Sequence, residues 1–153
     1  MTVNPEERLA DLGLALPPVA PPVAAYVPAV RTGPYVYTSG QLPLVDGELA
    51  VTGRVGDEVD PDEAKQAART CVLNALAAVK SIVGDLSTVT RVVKVVGFVN
   101  SSPDFASQPQ VVNGASELLG EVFGNAGKHA RSAVGVAALP LNAPVEVELI
   151  VEA

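Results

Sequence analysis

The sequence predicts an α+β fold, a sandwich in which helices cover one face of a β-sheet. Two stretches, one after Asp60 and one after Pro109, repeat apolar residues at helical spacing. Shorter apolar or alternating stretches of strand length surround them in the order β-β-α-β-α-β-β. The chain has 153 residues, enough for one sizeable core and too few for two ordinary domains, so residues 1–153 are read as a single domain.

Asn4-Pro5-Glu6-Glu7 reads as a helix start, with Asn4 as cap, Pro5 in the first position and acids in the first turn; Gly13 ends it. This helix is short and expected at the periphery. Pro17-Pro-Val-Ala-Pro-Pro22 follows as an extended arm, because each proline disfavours helix at the residue before it. Residues 1–22 are thus a helix and a Pro-rich arm ahead of the main elements. Ala25 to Arg31 and Tyr35 to Ser39 read as strands around Thr32-Gly33-Pro34, and Val45-Asp46-Gly47-Glu48 marks a further turn.

Asp60-Pro61-Asp62-Glu63 combines a capping aspartate, a first-turn proline and a glutamate three residues on. Ala64, Ala68, Cys71, Val72, Ala75, Leu76 and Val79 then form one helical stripe, and Gly84 stops it. Cys71 lies on that stripe and reads as a small core residue, not a nucleophile. Arg91 to Val99 is apolar on both faces, the pattern of an interior strand. Asp104 and Pro109 introduce the second helix, with Val111, Val112, Ala115, Leu118, Leu119, Val122 and Phe123 on its stripe and Gly124 to Gly127 at its end. Ala130 to Ala138 and Val145 to Val151 are the last strands.

Composition removes several function classes. Only 18% of residues are charged, against about 25% in an ordinary domain, while 48% are hydrophobic and 4% aromatic, so some apolar surface is expected to meet another subunit. The net charge of -7 and the lack of a basic run argue against a nucleic-acid partner. The amino terminus has no signal-like apolar region, and nothing approaches the roughly 20 apolar residues of a membrane span, so no membrane association is expected. With one cysteine and one histidine a zinc site is implausible, no metal or cofactor is expected, and the lone cysteine fits a reducing cytoplasm.

One residue stands out in the last quarter. Arg131 heads a strand that is otherwise uncharged, and Ala133, Gly135 and Ala137 share its face. A guanidinium keeps its charge and offers a planar fork of donors, so it needs an anion or acceptors. Either Glu146 or Glu148 on the next strand supplies the partner, or a ligand carboxylate does. His129, two residues earlier, is expected on the same side, as a ligand-polarising group or as a solvated loop histidine.

Ala25-Tyr26-Val27, Tyr37-Thr-Ser-Gly-Gln-Leu-Pro43, Ala130-Arg-Ser-Ala-Val134 with Leu139-Pro140, and Val145-Glu-Val-Glu148 resemble, in order and spacing, the RidA/YjgF family of reactive-intermediate deaminases. The resemblance runs from about Tyr26 to Val151. It implies a chorismate-mutase-like two-layer sandwich with a mixed sheet and two main helices on one face. It also implies a homotrimer whose sheets form a barrel, with pockets for small carboxylates at the subunit interfaces. Arg131 would then bind the carboxylate of a 2-imino or 2-aminoacrylate acid, and water would release a 2-oxo acid and ammonia. Tyr26 matches the tyrosine that closes the pocket, Ser39 and Gly40 the turn that lines it, and Asn113, loosely, a family asparagine. Glu146 matches the glutamate placed to handle the water, while Glu148 shares its face. Where the family's deaminases usually carry cysteine, this chain has Ala133; the segment Ser107 to Gln110 reads as inserted. The resemblance therefore leaves three readings: an enamine/imine deaminase, a noncatalytic carboxylate-binding metabolite sensor, and the endoribonuclease or translation-inhibitor role also attributed to the family.

Overall fold

The structure, a computed structural model, describes residues 4–19 and 25–153. Its first element is α1 (Pro5–Asp11), where the Asn4 side chain accepts hydrogen bonds from the backbone N–H groups of Glu6 (3.0 Å) and Glu7 (3.3 Å). α1 is short, as expected, but not peripheral. Leu9 is buried in the main core, Glu6 pairs with Lys80, and Arg8 Nε donates to the Glu121 carbonyl at 3.0 Å. Leu14 and Leu16 pack against the same core; part of the Pro-rich arm, at residues 20–22, lies outside the described residues.

The main sheet contains β1 (Ala29–Thr32), β2 (Tyr35–Thr38), β5 (Arg91–Asn100), β6 (Ala130–Val136) and β7 (Val145–Glu152), in the order β1-β2-β7-β5-β6. Only β5 and β6 run parallel, so the sheet is mixed. Between β2 and the first long helix, β3 (Leu44–Val45) and β4 (Glu48–Leu49) form a small hairpin. Its turn residues Asp46 and Gly47 both have positive φ, 52° and 82°, which suits the right-handed twist of paired strands. β1 begins at Ala29 rather than Ala25 because Pro28 has no N–H to give to a ladder. β6 stops at Val136 rather than Ala138 because it has one neighbour and β5 ends opposite, at Asn100.

α2 (Pro61–Val83) and α3 (Gln108–Phe123) cover one face of the sheet. Asp60 accepts from Asp62 N at 2.8 Å and the Glu63 side chain accepts from Asp60 N at 3.3 Å, completing the cap expected for α2. Every residue of both predicted apolar stripes is at most 4% exposed. Burial at about 1.5–3 kcal/mol for each large aliphatic side chain is what holds the layers together. The Asn74 amide, on α2, donates to the carbonyls of Leu42 and Leu44, both at 3.0 Å, and so ties the small hairpin to the helix. Residues 108–110, which read as an insertion, form the first turn of α3, a position that tolerates Pro109.

β7 alternates buried Val145, Val147, Leu149 and Val151 with half-buried Glu146, Glu148, Ile150 and Glu152. The second set faces away from the helices, where Val30 (52% exposed), Tyr37 (43%) and Val134 (44%) also lie bare. No described element covers that face.

α2 and α3 cross where an added Cβ on Gly114 would lie 2.1 Å from the Lys65 carbonyl oxygen, whereas Gly120 in the same helix has nothing within 4 Å. The two glycines should therefore respond oppositely. In urea unfolding at fixed protein concentration, Gly114→Ala is expected to destabilise by about 1–3 kcal/mol through overpacking. Gly120→Ala should stabilise by about 0.5–1 kcal/mol, the ordinary helix preference for alanine.

Candidate functional site

Val95 on β5 pairs with Arg131 on one side and Leu149 on the other, so Arg131 points to the helix-covered face. Glu146 and Glu148 pair with Phe98 and Val96, on the opposite face, and β5 separates their strand from β6. Within one chain neither glutamate is therefore the partner of Arg131, and the expectation of an ion pair from the next strand fails on strand order.

The acceptors come from α3 instead. An added Cβ on Gly97 would lie 2.4 Å from Val112 Cγ2, so α3 sits low over β5 at that point. This brings the next residue, Asn113, and Ser116 one turn later, over the edge strand. Arg131 Nη1 donates to Asn113 Oδ1 at 2.8 Å and to Ser116 Oγ at 3.2 Å. Among the described residues, Arg131 has no carboxylate partner, and its Nε and Nη2 make no hydrogen bond. The guanidinium is half-buried, next to half-buried Ala133 across the sheet from Gly97.

His129 joins the same cluster. Its Nε2 lies 2.8 Å from Ser116 Oγ and its Nδ1 lies 2.6 Å from the Gly127 carbonyl oxygen. A carbonyl only accepts, so in the neutral imidazole this network assigns the ring proton to Nδ1, and Nε2 accepts from the Ser116 hydroxyl. Neither ring nitrogen is left for a ligand. Ser116 is the residue that sequence reasoning missed; its one signal was the three-residue spacing from Asn113, which puts both on one side of the helix.

A second cluster forms on the other face around Glu146. An added Cβ on Gly40 would lie 2.5 Å from Glu146 Oε1, so only glycine allows the carboxylate to rest on this backbone. Gln41 and Val147 exchange backbone hydrogen bonds of 2.8 and 3.1 Å, which fixes the Ser39-Gly40-Gln41 strap across the start of β7. Ser39 Oγ donates to the Val27 carbonyl at 2.6 Å and thereby anchors the segment that carries exposed Tyr26. Tyr26, Ser39, Gly40 and Glu146 thus group together, while Asn113, Ser116, His129, Arg131 and Ala133 group on the opposite face. Burial pushes the Glu146 carboxyl above its ordinary value, and the charge of Glu148 adds to the shift.

The remaining chemistry is sparse. Cys71 is fully buried, its Sγ 3.7 Å from the Val145 carbonyl oxygen, and burial raises its thiol further, as a core residue should behave. Among the described residues, no three His, Cys, Asp or Glu side chains cluster as metal ligands. A groove of about 290 Å³ between the β3–β4 hairpin and α2 is lined by Pro43, Val45, Val51 and Ala67 among others and shares no residue with either cluster. No helix among the described residues is long and apolar enough to cross a membrane.

A mixed sheet with two helices on one face, its other face bare and an arginine at its edge, defines a chorismate-mutase-like α+β domain. Residues 6–153 match the family model described as "YjgF/chorismate_mutase-like, putative endoribonuclease". The protein Atu1372 from Agrobacterium tumefaciens, of unknown function, superposes with a TM-score of 0.90 at 50% identity, over 97% of this chain and 92% of that one. Protein TCP17 of Trypanosoma cruzi is 47% identical over 95% of this chain and 91% of its own length. A 2-iminobutanoate/2-iminopropanoate deaminase of Dermatophagoides farinae is 37% identical over 88% of this chain and 91% of its own. The chain belongs to the YjgF/RidA family.

Glu146 provides a check on the second cluster. A carboxyl whose folded-state value is raised binds its proton more tightly in the folded than in the unfolded chain. Its contribution to stability is therefore present at low pH and falls as pH rises from the unfolded value through the folded one. In an Arg131→Ala background, which removes the guanidinium that a neighbouring copy could bring to Glu146, carbon-13 NMR should find Glu146 titrating above the ordinary 4.5, and Glu148→Gln should move it only part of the way back, because burial is the larger cause. A Glu146 that titrates at or below 4.5 in that background would contradict the environment described.

Proposed function

We propose that this protein hydrolyses small 2-imino acids, and the 2-aminoacrylates that tautomerise to them, to 2-oxo acids and ammonia. The observation that carries the reading is the guanidinium of Arg131, held by two neutral acceptors with its remaining donors unspent. A relative named as a 2-iminobutanoate/2-iminopropanoate deaminase, 37% identical, supports it. The two clusters lie on opposite faces of one sheet, so the site needs a second copy of the chain: the Arg131 cluster of one subunit meets the Glu146 cluster of the next. We assign a homotrimer, in which the bare sheet face with Val30, Tyr37 and Val134 is covered.

In this reading Arg131 holds the substrate carboxylate beside Asn113 and Ala133, and Tyr26 closes the pocket over the Ser39-Gly40 turn. Water adds to the imine carbon as Glu146 takes its proton. The proton then passes to the nitrogen of the tetrahedral adduct; as the C–N bond breaks, Glu146 takes the adduct's hydroxyl proton, and ammonia leaves the 2-oxo acid. A protonated imine is already electrophilic, so orientation does most of what is required. Burial of Glu146 opposes the pull of the neighbouring guanidinium on its carboxyl, so the group can take the proton and give it back. The reaction uses no metal, cofactor or covalent nucleophile, and a cytoplasmic location is part of the same reading, consistent with free, buried Cys71.

Ala133 favours a second reading, a metabolite sensor that binds the same carboxylates through Arg131 without turnover. The net charge of -7 weighs against RNA as substrate.

The test generates 2-imino acids with an amino-acid oxidase and traps unreacted imine with semicarbazide. Wild type should accelerate hydrolysis, and Arg131→Ala should reduce kcat/KM by about 10²-fold or more. Ligand binding through Arg131 without acceleration across a panel of imino acids would select the sensor. Light scattering should give three times the 15.6 kDa chain mass, and a monomer would contradict the interface site.

A further inference from the structure

Arg131 is the first donor of a one-directional hydrogen-bond chain. Arg131 Nη1 donates to Ser116 Oγ (3.2 Å), the Ser116 hydroxyl to His129 Nε2 (2.8 Å), and His129 Nδ1–H to the Gly127 carbonyl (2.6 Å). The far end is fixed by packing. An added Cβ on Gly127 would lie 2.3 Å from the Leu119 carbonyl oxygen, so the turn carrying that carbonyl lies hard against the end of α3. The direction then propagates. The carbonyl holds the proton on Nδ1, Nε2 draws the serine proton toward itself, and a serine lone pair is left facing Arg131.

The other Nη1 hydrogen goes to Asn113 Oδ1 at 2.8 Å. Both Nη1 hydrogens are thereby occupied, and an end-on fork through Nη1 and Nη2 is no longer open. What remains is the Nε–Nη2 edge, a pair of parallel donors matched to the two oxygens of a carboxylate.

We propose that Ser116 and His129 are positioning residues, a relay that fixes the Arg131 guanidinium plane and presents its Nε–Nη2 edge to the ligand carboxylate. This rests on the carboxylate-binding role of Arg131 and deepens it. The clamp acts on the carboxylate in ground and transition states alike, so breaking the relay alters KM and leaves kcat largely intact.

The experiment compares Ser116→Ala and His129→Phe, which break the relay, with Ser116→Thr and His129→Gln, which keep a hydroxyl and an acceptor in place. 2-Oxobutanoate binding is measured by calorimetry, imine hydrolysis gives KM and kcat, and nitrogen-15 NMR reads rotation of the Arg131 guanidinium. The relay predicts slow guanidinium rotation in wild type and faster rotation in the breaking variants. It predicts about tenfold weaker binding and higher KM, as for loss of one hydrogen bond to a charged group, with most of the loss restored in the conservative pair. In an Arg131→Ala background, Ser116→Ala should cost nothing further. Wild-type affinity and KM in both breaking variants, or guanidinium rotation unchanged by them, would overturn the relay. Failure of the deaminase reading is separate: wild type would then bind 2-oxobutanoate without turnover, and affinity and NMR would still decide the relay. Should Ser116→Ala not fold, His129→Phe and His129→Gln make the same comparison from the other end.

Discussion

Strand register is the constraint from which the rest of this molecule follows. β5 pairs parallel with β6 and antiparallel with β7, and Val95 stands opposite both Arg131 and Leu149. A slip of one residue in β6 would turn Arg131 to the bare face and bring Ser132 and Val134 under α3. A slip in β7 would drive Glu146 and Glu148 in beside Val95 and Val99 of β5, which are fully buried. Burial of those two charges would cost several kcal/mol, roughly, so the register that builds the core also separates arginine from glutamate.

That separation gives the two faces different tasks. The helix-covered face contributes nearly all of the single-chain core and carries Arg131 only at its margin, on an edge strand, where α3 can reach over it. The bare face combines apolar side chains with a half-buried carboxylate that burial has already shifted. An edge strand beside an uncovered, partly apolar face invites a second copy of the chain, and the low charge content and the placing of the two clusters on opposite faces support the assembly proposed above.

The helices were legible in detail because capping residues and 3.6-residue stripes are local signals. Asp60, Glu63 and all the predicted stripe positions behave as the sequence suggests. Strand faces were legible as well, since alternation is local; strand neighbours were not. Nothing in the alternation of Val145 to Val151 says that β5 intervenes between it and β6, and the mistaken partner for Arg131 came from that gap. Ser116 was hidden for a related reason. Its role depends on how closely α3 approaches β5, a distance set by Gly97 against Val112 and not by any pattern within the helix. Likewise Leu9 looked like part of a peripheral helix until Arg8 and Glu6 were seen to bind α3 and α2.

Ala133 is where the chain departs most clearly from the deaminases that it resembles, and the physical chemistry of the site limits what that departure means. The only thiol, Cys71, is on α2, sealed under the sheet with its proton held tightly, so sulfur chemistry is absent from both clusters. Hydrolysis of a protonated imine needs a bound carboxylate, a placed water and a base, and each has a candidate that does not involve position 133. What alanine changes is space. It pairs with Gly97 beneath α3, so together they form a low floor beside Arg131. A small residue there affects which side chain a substrate can carry before it affects whether the C–N bond can break. In the deaminase reading the substitution therefore bears on substrate choice, whereas the sensor reading takes it as the loss of turnover.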